Sequence, residues 1–308
     1  MVWLSAIVGL ILLLGGAEMF LRGAVHLSLL LQVPVVVIGV TVAAYGALAP
    51  EVGLSTTAAV AGEGTLAMAA VLGANVVSLA LVVGVAALRG VADVSRELVR
   101  REVPGLLALS AAVPLALHDG VIGRIDGLAM VAIGVSYTLL VLRDAIDGRV
   151  QDDRAAARAP TDDFVVDLAV TVVGGAMVVG GAWFVAQGAI GVADALGTSA
   201  RVIAATAVAL ALRSHDLLSA LLSTESPSGV VGNALSTTLL SVSMGLGLAA
   251  MLEPIVLVDH NLWREVAAAG VMSALWLPLV LRGGALSRLE GGLLIAAWLG
   301  YVAQALFT

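Results

Sequence analysis

Two carboxylates within strongly apolar sequence are the residues of this chain best suited to chemistry. Glu51 directly follows Pro50 in the run TVAAYGALAPEVGLSTTAAV, and no basic residue is near it in sequence. Asp216 lies in a second apolar run, TAVALALRSHDLLSALL. Ionisable groups are costly in apolar surroundings, and a proline interrupts the backbone hydrogen bonds and can free carbonyl oxygens to coordinate a cation. Such a pair of carboxylates is typical of a cation or proton site.

Neutral oxygen donors accompany the carboxylates along the chain. Carboxylate, hydroxyl and amide oxygens are the hard ligands that Ca²⁺ and Na⁺ prefer. The chain contains no cysteine, which excludes thiolate metal sites, disulfides and cysteine nucleophiles. Any single hydroxyl could instead make a helix-packing hydrogen bond. The predicted ligands beside Glu51 and Asp216 are Asn75 and Ser78 in GANVVS, and Thr237, Thr238 and Ser241 in STTLLS.

Arg213 and His215 stand next to Asp216 and are expected to modulate the site. An arginine stays protonated even when buried, so the two carboxylates and Arg213 carry a formal charge of −1. Arg213 could replace a bound cation and leave a carrier of one monovalent ion or proton. It could also lock the protein and abolish transport, or point towards an interface. His215 could couple protons or simply pack.

Enzymatic function is not expected from these residues. Ser214, His215 and Asp216 are consecutive, and consecutive residues on a helix point about 100° apart, so they cannot form a catalytic triad. No phosphate-binding G-x4-GK[ST] loop is present, so ATP is not expected to drive the protein. No cofactor is predicted.

The composition places the whole chain in a membrane. Of its 308 residues 60% are apolar and 12% are charged, and the mean hydropathy is +1.08. A soluble protein of this size needs about a quarter of its residues charged. The net charge of −7 argues against a nucleic-acid partner. We expect membrane lipid and small inorganic cations as partners; the oligomeric state is left open.

Apolar segments long enough to cross a bilayer recur along the sequence. With the N-terminus outside, eleven arginines fall on the inner side and three on the outer, which predicts that both termini face out. Glu18 and Arg22 are expected to form an i,i+4 ion pair in the first segment. The ten predicted spans are 2–30, 34–61, 66–88, 103–117, 124–142, 164–191, 199–223, 228–251, 264–281 and 286–307.

The sequence repeats itself at an offset of 163–165 residues. GGAEMFLRGA at 15–24 matches GGAWFVAQGA at 180–189, and Thr41 and Glu51 then align with Thr206 and Asp216. The aligned threonines are expected to modulate the site from equivalent positions. An odd number of spans per copy inverts the second copy relative to the first, a common plan in secondary transporters. We therefore predict repeats at 1–143 and 164–308, joined by a cytoplasmic linker at 144–163.

The motifs resemble the cation/Ca²⁺ antiporter superfamily, in its prokaryotic sodium/calcium exchanger branch. The matching segments are GGA-E-x3-RGA, VIGVTVAAYGxxxPE and GANVVSLALVVGVAAL, together with RIDG at 124–127 and RLEG at 288–291, each followed by a tyrosine. The resemblance implies an all-α integral membrane protein with ten helices in two inverted groups of five. It also implies a midplane site at which Ca²⁺ and Na⁺, or H⁺, would be exchanged by alternating access.

Several positions depart from the family pattern G-T-S-x-P-E followed by G-N-x-x-G-S-N-x-x-N. In the first repeat, Ala47-Leu48 replaces Thr-Ser, Ala74 replaces the later Ser, and Ser78 replaces the last Asn. In the second repeat, Leu212-Arg213 replaces Thr-Ser and His215-Asp216 replaces Pro-Glu. The alternative function is therefore a homologue of altered specificity, coupled to a monovalent cation or to protons. A transport-silent homologue acting as a cation sensor or structural membrane partner is also possible.

Overall fold

The computed structural model describes residues 2–90, 92–93, 96–147, 163–222, 226–257, 259, 261–281 and 285–307. The helix that precedes the predicted linker at 144–163 continues to Asp147. Residues 148–162 of that linker lie outside the described part of the chain.

The described residues of the first half form eight α-helices and two two-residue strands. π-helical segments at Gly39–Ala43 and Val77–Val82 join α2 to α3 and α5 to α6. The strands are β1 (Ala92–Asp93) and β2 (Val121–Ile122). The helices are α1 (Val2–Leu30), α2 (Val35–Ile38), α3 (Ala44–Ala47), α4 (Ala49–Val60), α5 (Gly64–Val76), α6 (Val83–Arg89), α7 (Arg96–Ala116) and α8 (Arg124–Asp147).

The second half follows the same order of elements. Its π-helical segments are Ala204–Val208 and Ser241–Leu246, at the positions that the repeat offset predicts from the first half. The strands are β3 (Ile255–Val256) and β4 (Ala285–Leu286). The helices are α9 (Phe164–Leu196), α10 (Ala200–Ile203), α11 (Ala209–Leu212), α12 (Ser214–Leu222), α13 (Pro227–Leu240), α14 (Gly247–Leu252), α15 (Leu262–Leu281) and α16 (Arg288–Leu306).

Six helical segments of the described chain are long and apolar enough to cross a bilayer, and the bent pair α10–α11 and α12 would make a seventh. The predicted spans 34–61, 103–117 and 264–281 are not among them. The helix at the predicted fourth span, 103–117, begins before that span. Helix α7 starts at Arg96, because a helix can continue beyond the apolar run that its sequence marks. The chain is an all-α membrane protein, and the count of ten spans stays a prediction.

The helices divide into an inner and an outer group. The most apolar stretch of Gly64–Arg89 is 83% buried within the protein, and that of Pro227–Leu252 is 72% buried. By contrast, the apolar windows of α1, α8, α9 and α16 are only 22–28% buried. Their exposed leucines, valines and isoleucines face the surroundings, as expected for helices in contact with lipid. The inner segments carry the predicted ligands Asn75, Ser78, Thr237 and Ser241.

Contacts between the two halves come in matching pairs. β1 pairs with β4, and β2 pairs with β3. Likewise α6 packs against α16, and α14 packs against α8. Both helix contacts are glycine crossings, in which the backbone of Gly84 meets that of Gly291 and Gly127 meets Gly247. The contact between α6 and α16 is thus repeated by their equivalents in the other half, because α14 corresponds to α6 and α8 corresponds to α16.

The outer helices α1 and α9 pack closely along their lengths through small residues. An added Cβ at Gly181 would lie 2.4 Å from the backbone nitrogen of Leu13. Nothing lies within 4 Å of an added Cβ at the neighbouring Gly180. Close approach of the two backbones therefore depends on Gly181 and not on Gly180.

We expect Gly181→Ala to destabilise the protein by about 1–3 kcal/mol, because the methyl group would force α1 and α9 apart. Gly180→Ala is the matched control. It should be neutral or slightly stabilising, since alanine is the better helix former. Thermal unfolding in detergent, followed by circular dichroism, measures both variants. Equal unfolding midpoints for the two variants would show that α1 and α9 do not need this close contact.

Candidate functional site

Breaks in two helices position the predicted carboxylates. Leu48 separates α3 from α4, and Pro50 and Glu51 lie in the first turn of α4. Arg213 separates α11 from α12 in the same way, with a bend of 49°, and Asp216 lies in the first turn of α12. The first turn of a helix carries a partial positive charge that favours a carboxylate. The second break occurs without a proline, which the sequence did not predict.

Arg213 joins the two carboxylates. Its Nη2 lies 3.1 Å from Glu51 Oε1 and 3.2 Å from Glu51 Oε2, and its Nη1 lies 3.4 Å from Asp216 Oδ2. The Glu51 and Arg213 side chains are each 3% exposed, and that of Asp216 is 16% exposed. The guanidinium therefore points into the site and not towards an interface. Glu51 and Asp216 come from opposite halves of the chain and meet through this one cation.

Asn233 completes the contacts of Asp216, and the sequence-based prediction missed it. Its Nδ2 donates a hydrogen bond to Asp216 Oδ1 at 3.1 Å. With the contacts from Arg213, all four oxygens of Glu51 and Asp216 have an N–H neighbour. A signal for Asn233 was present in the sequence, because Gly232-Asn233 fits the G-N that opens the second family motif.

Three of the predicted neutral ligands are buried oxygens without a hydrogen-bond partner. They are Asn75 Oδ1, Ser78 Oγ and Ser241 Oγ. Asn75 and Ser78 lie one turn apart on the inner segment Gly64–Arg89, which packs against α4. A buried polar atom without a partner costs free energy, so these oxygens could be satisfied by a small polar guest such as a cation or water.

Within the described chain, the other predicted residues do not contact the two carboxylates through hydrogen bonds. Thr41 and Thr206 each donate to the carbonyl oxygen four residues earlier, both at 2.6 Å. Thr237 donates to the carbonyl oxygen of Asn233 at 2.8 Å, and the buried Thr238 donates to that of Ala234 at 2.7 Å. The His215 side chain is exposed. No hydrogen bond or ion pair joins these five residues to either carboxylate within the part of the chain that the structure describes.

The charge at the site limits what it could bind. Among the described residues no group of three or more His, Cys, Asp or Glu side chains could hold a metal ion. Two carboxylates beside one guanidinium leave a formal charge of −1. Because Ca²⁺ sites usually gather several charged oxygens, this arrangement suits one monovalent cation or a proton better than a divalent ion.

Two further arginines form ion pairs away from the two carboxylates. The exposed pair between Arg22 Nε and Glu18 Oε1, at 2.7 Å, confirms the i,i+4 prediction. The second pair was not predicted. Arg201, one of the three arginines expected on the outer side, is buried at the start of α10, where Nη1 contacts Glu265 and Nε lies 2.9 Å from Asp259 Oδ2.

Comparison with known proteins identifies the family. The family model described as sodium/calcium exchanger protein matches residues 1–143 and 166–307, which is most of the chain. The chain belongs to the sodium/calcium exchanger family. This confirms the resemblance that its motifs predicted. It also places the chain among exchangers rather than enzymes.

Relatives of this exchanger family member match along most of its length. It is 28% identical over 312 residues to CaxA of Alkalimonas amylolytica, covering 96% of this chain and 95% of CaxA. It is 27% identical over 264 residues to the inner membrane protein YrbG of Escherichia coli K12, covering 80% and 79%. A solved structure of the sodium-calcium exchanger NCX_Mj has 23% identity and a TM-score of 0.63, and covers 98% of this chain and 99% of NCX_Mj. The last match shows a shared fold.

Proposed function

We propose that this protein is a secondary cation antiporter made of two inverted five-helix repeats, 1–143 and 164–308. The constant repeat offset and the matching pairs of contacts between the halves support this arrangement. Two halves of similar structure can form inward-open and outward-open states of similar energy, which is the basis of alternating access. The linker at 144–163 would then be cytoplasmic and both termini outside.

The proposed transport site lies where the halves meet, near the membrane midplane. Glu51 and Asp216 supply its charge, and Asn75, Ser78 and Ser241 supply neutral oxygens. Thr237, the fourth neutral ligand of the prediction, would join them only by turning away from the carbonyl oxygen of Asn233. The observation that carries the proposal is the approach of Glu51 and Asp216 to one guanidinium from opposite halves of the chain. The unpartnered oxygens of Asn75, Ser78 and Ser241 add acceptors that a dehydrated cation needs.

The proposed cargo is a small inorganic cation exchanged for Na⁺, Ca²⁺ or H⁺. The residual charge of −1 favours a monovalent cation or a proton at this site, because Arg213 repels any further cation. Ca²⁺ remains a candidate through family membership. Membrane gradients of Na⁺ or H⁺ would provide the driving force.

A second candidate is a transport-silent homologue that acts as a cation sensor or a structural membrane partner. The same Arg213 contacts favour it, because every oxygen of both carboxylates already has an N–H neighbour. In that case Arg213 would tie α12 to α4 permanently. The two candidates differ in whether any cation crosses the membrane.

Flux measurements in proteoliposomes distinguish the two candidates. We expect uptake of ²²Na⁺ or ⁴⁵Ca²⁺ that requires an imposed gradient of Na⁺ or H⁺, at rates above those of protein-free vesicles. Glu18→Gln, which changes an exposed carboxylate of α1, should transport like the unchanged protein. Absence of uptake of both ions under both gradients, from protein that elutes as a folded species, would favour the silent homologue.

A further inference from the structure

The charge of the empty site determines whether exchange is obligatory. Two unpaired carboxylates within a membrane protein are expensive to move, so a carrier with such a site changes state only when cations fill it. It must then exchange one ion for another. A buried charge that lacks a partner costs more free energy than a paired one, and two like charges also repel each other. A fixed positive charge that neutralises one carboxylate therefore lowers the free-energy barrier to the conformational change of the carrier without a bound cation.

Arg213 provides such a charge, and only one half of the chain provides it. The position equivalent to Arg213 in the first half is Leu48, so no second cation opposes the guanidinium there. The Arg213 side chain is almost fully buried, and it contacts Glu51 and Asp216 together. The site therefore keeps a cation that cannot leave with the cargo.

The contacts of Arg213 also allow it to move aside. Its Nε has no hydrogen-bond partner, and its guanidinium is held by the two carboxylates alone among the described residues. The Nη1 contact with Asp216 is long, at 3.4 Å. An incoming cation at Glu51 would have to displace only the Nη2 contact, and Asp216 could retain Nη1. Asn233, which also binds Asp216, can hold that carboxylate in place.

We propose that Arg213 is a tethered cation that replaces the exchanged ion on the return step, so that the protein can carry one monovalent cation across without a counter-ion. This inference rests on the proposed transport function. Exchange stays possible when cations are present on both sides, but it is no longer obligatory. Each uncoupled cycle moves one positive charge, so a membrane potential drives it.

The test compares two transport modes in the same proteoliposomes. Uptake of ²²Na⁺, and in parallel of ⁴⁵Ca²⁺, is measured with N-methyl-D-glucamine as the only internal cation and again with internal Na⁺. In a third series K⁺ is included inside the vesicles, and valinomycin is added so that the K⁺ gradient sets an inside-negative membrane potential. We expect ²²Na⁺ uptake without internal Na⁺ to reach a rate within about tenfold of the exchange rate and to rise with an inside-negative potential.

Substitutions of Arg213 test whether its charge causes the uptake without internal Na⁺. Arg213→Ser restores the hydroxyl of the family motif and should reduce uptake without internal Na⁺ at least tenfold relative to exchange. Arg213→Lys keeps the tethered charge and should preserve the ratio of the two modes. If Arg213→Ser elutes as aggregate, Arg213→Gln, which retains hydrogen-bond donors for the carboxylates, is the replacement variant.

The outcomes separate this inference from the function on which it rests. Exchange without any uptake in the absence of internal Na⁺ would overturn the tethered-cation role and leave the antiporter proposal standing. The same ratio of modes in the unchanged protein and in the charge-removing variant would also overturn it. No uptake of either ion in either mode, by folded protein, would overturn the proposed function and the inference together.

Discussion

Glu51→Gln is expected to abolish cation transport. Glu51 is almost fully buried and is the acidic residue of the first-half motif, so we expect that no neighbour can replace it as a cation ligand. Loss of a buried charged partner costs about 2–5 kcal/mol of binding. At about 1.4 kcal/mol per tenfold, affinity for the cation would fall between about 30-fold and a few thousand-fold. Gradient-driven ²²Na⁺ and ⁴⁵Ca²⁺ uptake in proteoliposomes measures the loss.

The fold should survive this substitution. Glutamine has nearly the same shape as glutamate, and its carbonyl oxygen can still accept from Arg213 Nη2. The guanidinium also keeps its contact with Asp216. Size-exclusion elution and the thermal midpoint serve as the folding control. If Glu51→Gln transported at the rate of Glu18→Gln, Glu51 would not be a ligand and the proposed site would be wrong.

Arg201→Met is expected to destabilise the fold more than Gly181→Ala. Arg201 and Glu265 are 3% and 1% exposed and lie in ion-pair contact between α10 and α15. Removal of the arginine leaves the Glu265 carboxylate buried without its counter-charge, which costs about 3–5 kcal/mol. Loss of the contact with Asp259 should cost less stability, since this carboxylate is partly exposed and water can solvate its charge. Thermal unfolding in detergent is the measurement.

Two further variants test the physical cause. The double substitution Arg201→Met with Glu265→Met removes both charges, so most of the lost stability should return, because apolar side chains can replace a buried pair at little cost. Arg22→Met breaks the exposed pair with Glu18 and should cost less than about 1 kcal/mol. A double variant as unstable as Arg201→Met alone would show that packing, and not charge, explains the effect.

The sequence was sufficient for the class of protein and the family, and it singled out Glu51 and Asp216, both of which contact Arg213 in the structure. These follow from local features: long apolar runs, motif residues at fixed spacing, and a repeat offset that aligns Glu51 with Asp216. The Glu18–Arg22 pair was predictable for the same reason, because residues four apart on one helix are neighbours whatever the rest of the fold does.

Tertiary structure decided what the charged residues contact. The sequence allowed three roles for Arg213, and only the packing of α12 against the other half directs its guanidinium towards Glu51, which lies 162 residues away in the chain. Arg201 and Glu265, separated by 64 residues, were invisible as a pair for the same reason. A long side chain can reach in many directions, and the partner it meets depends on which helices pack beside it. Local patterns therefore predict the helices and motifs, whereas ion pairs between distant segments are determined by the assembled fold.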